Sequence, residues 1–187
     1  MIAICVGHSR RGDMGALSVD GVSEWHYNGD IARRVRRKLE DLGHDACVIS
    51  TYPRSGYSSA VEWLSGELAK MQAEAVIELH FNSSDDPQSH GHEWLHWHAS
   101  PNGKRLAKCL QGQMVSTYPE IRSRGLVSIT STNERGGYFL KRTPCPAVIC
   151  EPFFGSHRGE WELFNAERDM YAEVLALGLD DWKGGAK

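Results

Sequence analysis

Three short apolar runs in this 187-residue sequence end on residues that a buried strand does not need. Residues 2–6 lead into Gly7-His8. Residues 75–81 carry Glu78 and His80 just before Asn82. Residues 147–150 end at Glu151, ahead of Pro152. A fourth candidate, Glu24, opens a long amphipathic segment behind Ser23. Two imidazoles and a carboxylate, with one position left for water, make the usual donor set of a catalytic zinc site. Zinc draws the pKa of its bound water toward about 7. A further acid nearby can move that water's proton to a leaving amine. Each signal is weak alone. A lone His at a strand end is more often a hydrogen-bonded structural residue, and Glu24 has a plain reading as a first-turn acid facing the helix dipole. Glu151 is harder to dismiss, because burying an unpaired carboxylate is costly.

The pattern of elements decides whether these residues can meet. Residues 2–6, 46–49, 75–81 and 147–150 read as buried strands, and residues 91–98 as a strand with polar residues on one face. Residues 23–42 read as a helix, with Ser23 as its N-cap and Gly43 at its stop. Residues 57–72 repeat Val61, Leu64, Leu68 and Met71 at helical period, and a further helix with Leu106, Leu110 and Met114 follows Pro101. Residues 119–136 read as a long loop, 138–140 as a short strand and 159–179 as one final helix. Strands alternating with helices imply an α/β domain: a twisted, mostly parallel sheet with helices on both faces. In such a sheet ligands collect outside the carboxyl ends of the strands. If the strands are parallel, His8, His80 and Glu151 reach one rim, and the helix start at Glu24 lies at the same rim.

The length suits one domain, expected over residues 1–180, with a short tail over 181–187. Hydrophobic residues at 41% and charged residues at 24% are ordinary for a globular chain. The formal net charge of −3 supplies no field for non-specific nucleic-acid binding. No run of about 18 apolar residues is present, so no membrane-spanning helix is expected. The N-terminus lacks the basic start and apolar length of a signal peptide, so synthesis in the cytoplasm is expected. The five cysteines are odd in number and have no CxxC pair, which reads as free thiols in a reducing compartment.

Four motifs carry a resemblance. They are Gly7-His8 with Asp13-Met14-Gly15-Ala16; Gly21-Val22-Ser23-Glu24 with Asn28 and Ala32; Glu78-Leu79-His80-Phe81-Asn82 followed by Gly91-His92-Glu93; and the run from Arg142 to Glu151. In order and spacing they are similar to those of the zinc-dependent N-acetylmuramoyl-L-alanine amidases, phage lysins among them, over residues 2–179. The resemblance implies a phosphorylase/hydrolase-like fold, with His8, Glu24 and His80 as Zn2+ ligands and Glu151 as the catalytic acid/base. It implies bacterial peptidoglycan as substrate, cut at the amide between the lactyl group of N-acetylmuramic acid and L-alanine. With no signal peptide or separate wall-binding module in view, a monomeric phage lysin that reaches the wall after release is expected. Three stretches depart from the family pattern. Residues 9–12 replace a short glycine turn, Glu78 stands where a small Ser is common, and Phe153-Phe154-Gly155-Ser156 replaces Gly-Phe-hydrophobic-Ser. Glu78 shares a strand face with His80, so it either orients that ligand or merely pairs with a base.

Other features invite weaker readings. His96 and His98 could chelate a metal across one strand face, but the plain reading of residues 90–98 is an exposed face of wet aromatics. A peptidoglycan-facing groove is a third reading. The basic run at residues 33–38 reads as the solvated side of an amphipathic helix. Arg122, Arg124 and Arg135 could line a cleft, though no spacing supports it. Rival functions for the same ligand set are a zinc peptidase acting on the stem peptide and a wall-binding module without turnover.

Overall fold

A computed structural model describes residues 1–8, 12–53 and 56–184. The run Ile2–Val6 is buried at every position and forms β1. Residues so uniformly apolar suit a strand covered on both faces. Ile2, Ile4 and Val6 pack into one layer, Ala3 and Cys5 into the other. β1 pairs in parallel with β2 (Ala46–Ile49) on one side and β3 (Ala75–Leu79) on the other. β3 pairs in parallel with β6 (Ala147–Glu151). β4 (His92–Trp97) runs antiparallel to β6, and β5 (Ser123–Ile129) lies parallel to β4 at the far edge. Among the described residues the strands form a six-stranded mixed sheet in the order β2-β1-β3-β6-β4-β5.

Helices cover both faces. α1 (Glu24–Asp41), α3 (Pro101–Thr117), α5 (Arg158–Ala166) and α6 (Arg168–Gly184) bury their apolar sides in the larger core. α2 (Tyr57–Lys70) and α4 (Gly137–Arg142) close the smaller core on the opposite face. The connection leaving β1 crosses to β2, while the chain then returns past β1 to β3. That reversal makes the carboxyl end of β1 and β3 the expected place for a ligand. The basic run of α1 is tied down by acids: Arg34 meets Asp30 and Asp169, and Lys38 meets Glu173 of α6. All five cysteines are free.

Several elements differ from the sequence reading. The stretch 119–136 is not all loop, since it contains β5. Residues 138–140 lie in the helix α4 rather than in a strand. The final helix is two helices, broken at Glu167, which caps α5. α6 continues to Gly184 and buries Trp182, so residues 181–184 are helix and not tail. Residues 185–187 lie outside the described residues. β4 is buried on both faces, with His92 at 0% and His96 at 2% exposure, so it is no wet surface. His98 lies beyond the strand and is exposed, which separates it from His96.

Candidate active site

The three central strands deliver their ends together. Hydrogen bonds run on past the strands, from Gly7 N–H to Leu79 O (3.0 Å) and from His80 N–H to Cys150 O (3.1 Å). His8, His80 and Glu151 therefore leave the sheet at one rim. Glu24 reaches that rim from the start of α1, where Ser23 accepts the His26 N–H as N-cap. The preceding loop is pinned to the same helix turn, with Glu24 N–H donating to Ala16 O (2.9 Å) and Trp25 N–H to Met14 O (3.1 Å).

One donor atom from each of His8, Glu24 and His80 lies within 4.8 Å of the others. His8 Nε2 is 3.2 Å from Glu24 Oε2, and His80 Nδ1 is 2.8 Å from Glu24 Oε1. Backbone amides hold the Glu24 carboxylate: Ala16 N–H binds Oε2 and Phe81 N–H binds Oε1, each at 3.1 Å. Each imidazole has a second carboxylate on its other nitrogen. His8 Nδ1 faces Asp13 Oδ2 at 3.0 Å, and His80 Nε2 faces Glu78 Oε2 at 3.2 Å. Asp13 is in turn fixed by the Gly15 N–H at 3.1 Å.

The backbone makes room for this convergence. A Cβ on Gly7 would stand 2.2 Å from the His80 ring. One on Gly15 would stand 2.6 Å from both Glu24 and His8, at a φ of +75°. His8 itself has a φ of +66°, a left-handed conformation uncommon for a side-chain-bearing residue. Residues 9–11, which the sequence comparison marked as a departure, lie outside the described residues.

The electrostatics follow from the packing. Burial works against the charged His80 ring, yet hydrogen bonds to Glu24 and Glu78 hold its pKa well above the ordinary value. His8 is raised as well: burial opposes the charge, but Glu24 and Asp13 outweigh it. Glu24 is buried too, and the two imidazoles still bring its carboxyl down to about 2. Three groups, His8, Glu24 and His80, thus attract protons or a cation to one point.

Glu151 differs in kind. It is 5% exposed, and its Oε2 has no hydrogen-bond partner among the described residues. Burial pushes its carboxyl up to about 7, with His80 and Arg135 pulling the other way. The Arg135 guanidinium is 3.8 Å from Glu151 Oε1 and donates to Asn82 Oδ1 at 2.8 Å and to Glu93. Glu93 is also held by Asn82 and Arg124. A cavity of about 350 Å³ brings His8, Glu24, Glu78, His80, Arg135 and Glu151 onto one wall system.

The model of one protein family, described as N-acetylmuramoyl-L-alanine amidase, matches residues 2–181. The chain belongs to this family. It is an N-acetylmuramoyl-L-alanine amidase acting on peptidoglycan, as the four motifs had led one to expect. No curated protein matches the amidase by sequence. Solved structures share its fold at low identity. The CwlD amidase from Clostridioides difficile, in complex with the GerS lipoprotein, superposes with a TM-score of 0.85 at 19% identity, covering 98% of each chain. The amidase AmiC2 of Nostoc punctiforme gives 0.81 at 21% identity, over 98% of this chain and 97% of that one. The catalytic domain of the CD27L endolysin targeting Clostridia difficile gives 0.76 at 24% identity, over 96% of each.

Within this amidase the His8–Glu24–His80 group fits a divalent cation. It offers two nitrogens and a carboxylate that already converge, and both rings are oriented from behind by carboxylates, as metal-bound histidines usually are. The sequence had placed Asp13 in a motif without a role. Its spacing of five from His8 was the available signal. Arg135 had been one of three arginines without support. Only the folded loop before α4 brings it to Glu151. Arg124 stacks over Phe154 and holds Glu93, and Arg122 makes none of these contacts at the site.

Proposed function

We propose that the amidase is a zinc enzyme in which His8, Glu24 and His80 hold the metal and Glu151 is the general acid/base. The observation that supports this most is the meeting in one cavity of a convergent donor set with a buried carboxyl whose Oε2 has no hydrogen-bond partner among the described residues and which burial pushes up to about 7. A divalent cation held by His8, Glu24 and His80 would supply Lewis-acid polarisation of the scissile carbonyl and acidify the attacking water. In the metal-free protein burial lifts the Glu151 carboxyl to about 7, which suits a group that both takes and gives a proton. Its carboxylate takes the proton of the attacking water. Its acid form then protonates the departing alanine nitrogen, so the C–N amide bond breaks to a lactyl carboxylate and a free amino group. Arg135 favours the ionised form of Glu151 from 3.8 Å, and Glu93 with Asn82 keeps that guanidinium in place. Asp13 fixes the ring of His8 so that Nε2 faces Glu24.

We assign the chain the role of a phage lysin, made in the cytoplasm and reaching the wall after release. The likeness to an endolysin catalytic domain favours this source. The test is digestion of purified sacculi. Free L-alanine amino groups without new reducing sugars are expected, and cleavage within the stem peptide would favour a peptidase instead. Glu151→Ala is expected to keep its metal and lose turbidity clearance, whereas His8→Ala and His80→Ala lose both. Full lysis by Glu151→Ala would remove that residue from the mechanism.

A further inference from the structure

The His80 imidazole is bracketed by two buried carboxylates, and only one of them belongs to the donor group. Its Nδ1 faces Glu24, whose second oxygen faces His8, so this nitrogen points to where the three donors meet. Its Nε2 points the opposite way, to Glu78 at 3.2 Å. Glu78 sits two residues earlier on β3, on the same strand face, and is 8% exposed. Its neighbours across the sheet are Cys5 on β1 and Ile149 on β6. Neither offers a cation to a carboxylate, so His80 is the basic partner that accounts for an acid at this place.

We propose that Glu78 is a positioning residue for metal capture. It accepts the Nε2–H of His80, fixes the tautomer that turns the bare Nδ1 toward the metal, and makes that nitrogen a stronger donor. Asp13 does the same for His8 through the opposite ring nitrogen. Both rings are therefore locked by carboxylates that arrive from different segments: Asp13 from the loop before α1, Glu78 from the strand itself. The steric fit supports this. The His80 ring fills the space a Cβ on Gly7 would occupy, so it cannot swing toward β1, and Glu78 restrains rotation about its own axis. The inference rests on the metal reading proposed above, but concerns affinity rather than turnover.

The test is zinc affinity, measured by chelator competition on the full chain for wild type, Glu78→Gln and Glu78→Ala, with the thermal midpoint of each metal-free protein recorded alongside. Glu78→Ala is expected to bind zinc about 10–100-fold more weakly. Glu78→Gln, which keeps an acceptor but loses the charge, is expected to fall between. Equal affinities in wild type and Glu78→Gln, with both folded, would overturn the role while leaving the metal site intact. A wild type that takes up no zinc would instead overturn the metal reading itself. Nitrogen-15 NMR of the zinc-loaded wild type needs no variant. It is expected to find the His80 proton on Nε2 and the metal on Nδ1; the reverse assignment would overturn the proposal.

Discussion

Replacing Glu151 by Gln separates the catalytic role proposed for the carboxyl from what it does to the fold. Glutamine keeps the shape and cannot ionise. In the wild type, burial lifts the Glu151 carboxyl from its ordinary 4.5 to about 7. The unfolded chain therefore gives up this proton earlier than the folded one as pH rises. Between those values the folded state binds more protons, so stability falls with increasing pH and levels off above about 7. A gap of that width, at about 1.4 kcal/mol per pH unit, amounts to about 3 kcal/mol. For a chain of this length that is about 6–12 °C in thermal midpoint. The metal-free Glu151→Gln protein is thus expected to match wild type at about pH 4.5 and to exceed it by about 3 kcal/mol at about pH 8.5. Its activity is expected to drop about 10²–10⁴-fold, the usual contribution of a positioned acid or base. Urea denaturation at the two pH values, with sacculus digestion beside it, measures both effects. If the stability difference does not grow with pH, the carboxyl is not desolvated as the structure implies, and its poise near neutrality loses its cause.

Three further outcomes follow from named contacts. Gly7→Ala drives a Cβ into the His80 ring, so it is expected to weaken zinc binding and to cost about 1–3 kcal/mol of stability. Gly66→Ala, in the open interior of α2, is the control and is expected to gain about 0.5–1 kcal/mol; chelator competition and denaturation of both report the contrast. Arg135→Ala removes the cation beside Glu151, so the acidic limb of kcat/KM is expected to move to higher pH, and a limb that stays put would contradict the pairing. His92 is fully buried and burial lowers it to about 4, so the stability it leaves intact at neutral pH is lost as pH falls from about 6.5 toward 4. His92→Gln, which can still accept from the Trp94 indole, is expected to flatten that acid-side loss in urea midpoints recorded against pH.

The convergence of the candidate site was legible because of where its residues sit in the sheet. Buried parallel strands are nearly all apolar, so His8, His80 and Glu151 stood out against β1, β3 and β6. The strand ends then needed only parallel pairing to share a rim. What was illegible lacked a period or depended on distant contacts. β5 is half exposed at the sheet edge and carries Gly125 at a φ of +90°, so neither alternation nor a buried run marks it. α4 is six residues long and starts behind a left-handed Gly136, too short for a helical repeat, and its Tyr138-Phe139-Leu140 has the composition of a strand. The break at Glu167 has no Gly or Pro to announce it, and Phe164 and Tyr171 keep helical spacing across it. β4 looked amphipathic, yet Trp94 is covered in one core and Leu95 in the other. Asp13 had only its spacing from His8 to mark it, and Arg135 finds Glu151 through loop geometry that no local pattern encodes.

Anomalous diffraction at the zinc edge, from crystals of the zinc-loaded wild type, bears most directly on the whole account. One peak is expected about 2.0–2.2 Å from His8 Nε2, His80 Nδ1 and a Glu24 oxygen, inside the cavity that Glu151 lines. A peak held by other side chains, with these three left empty-handed, would contradict it.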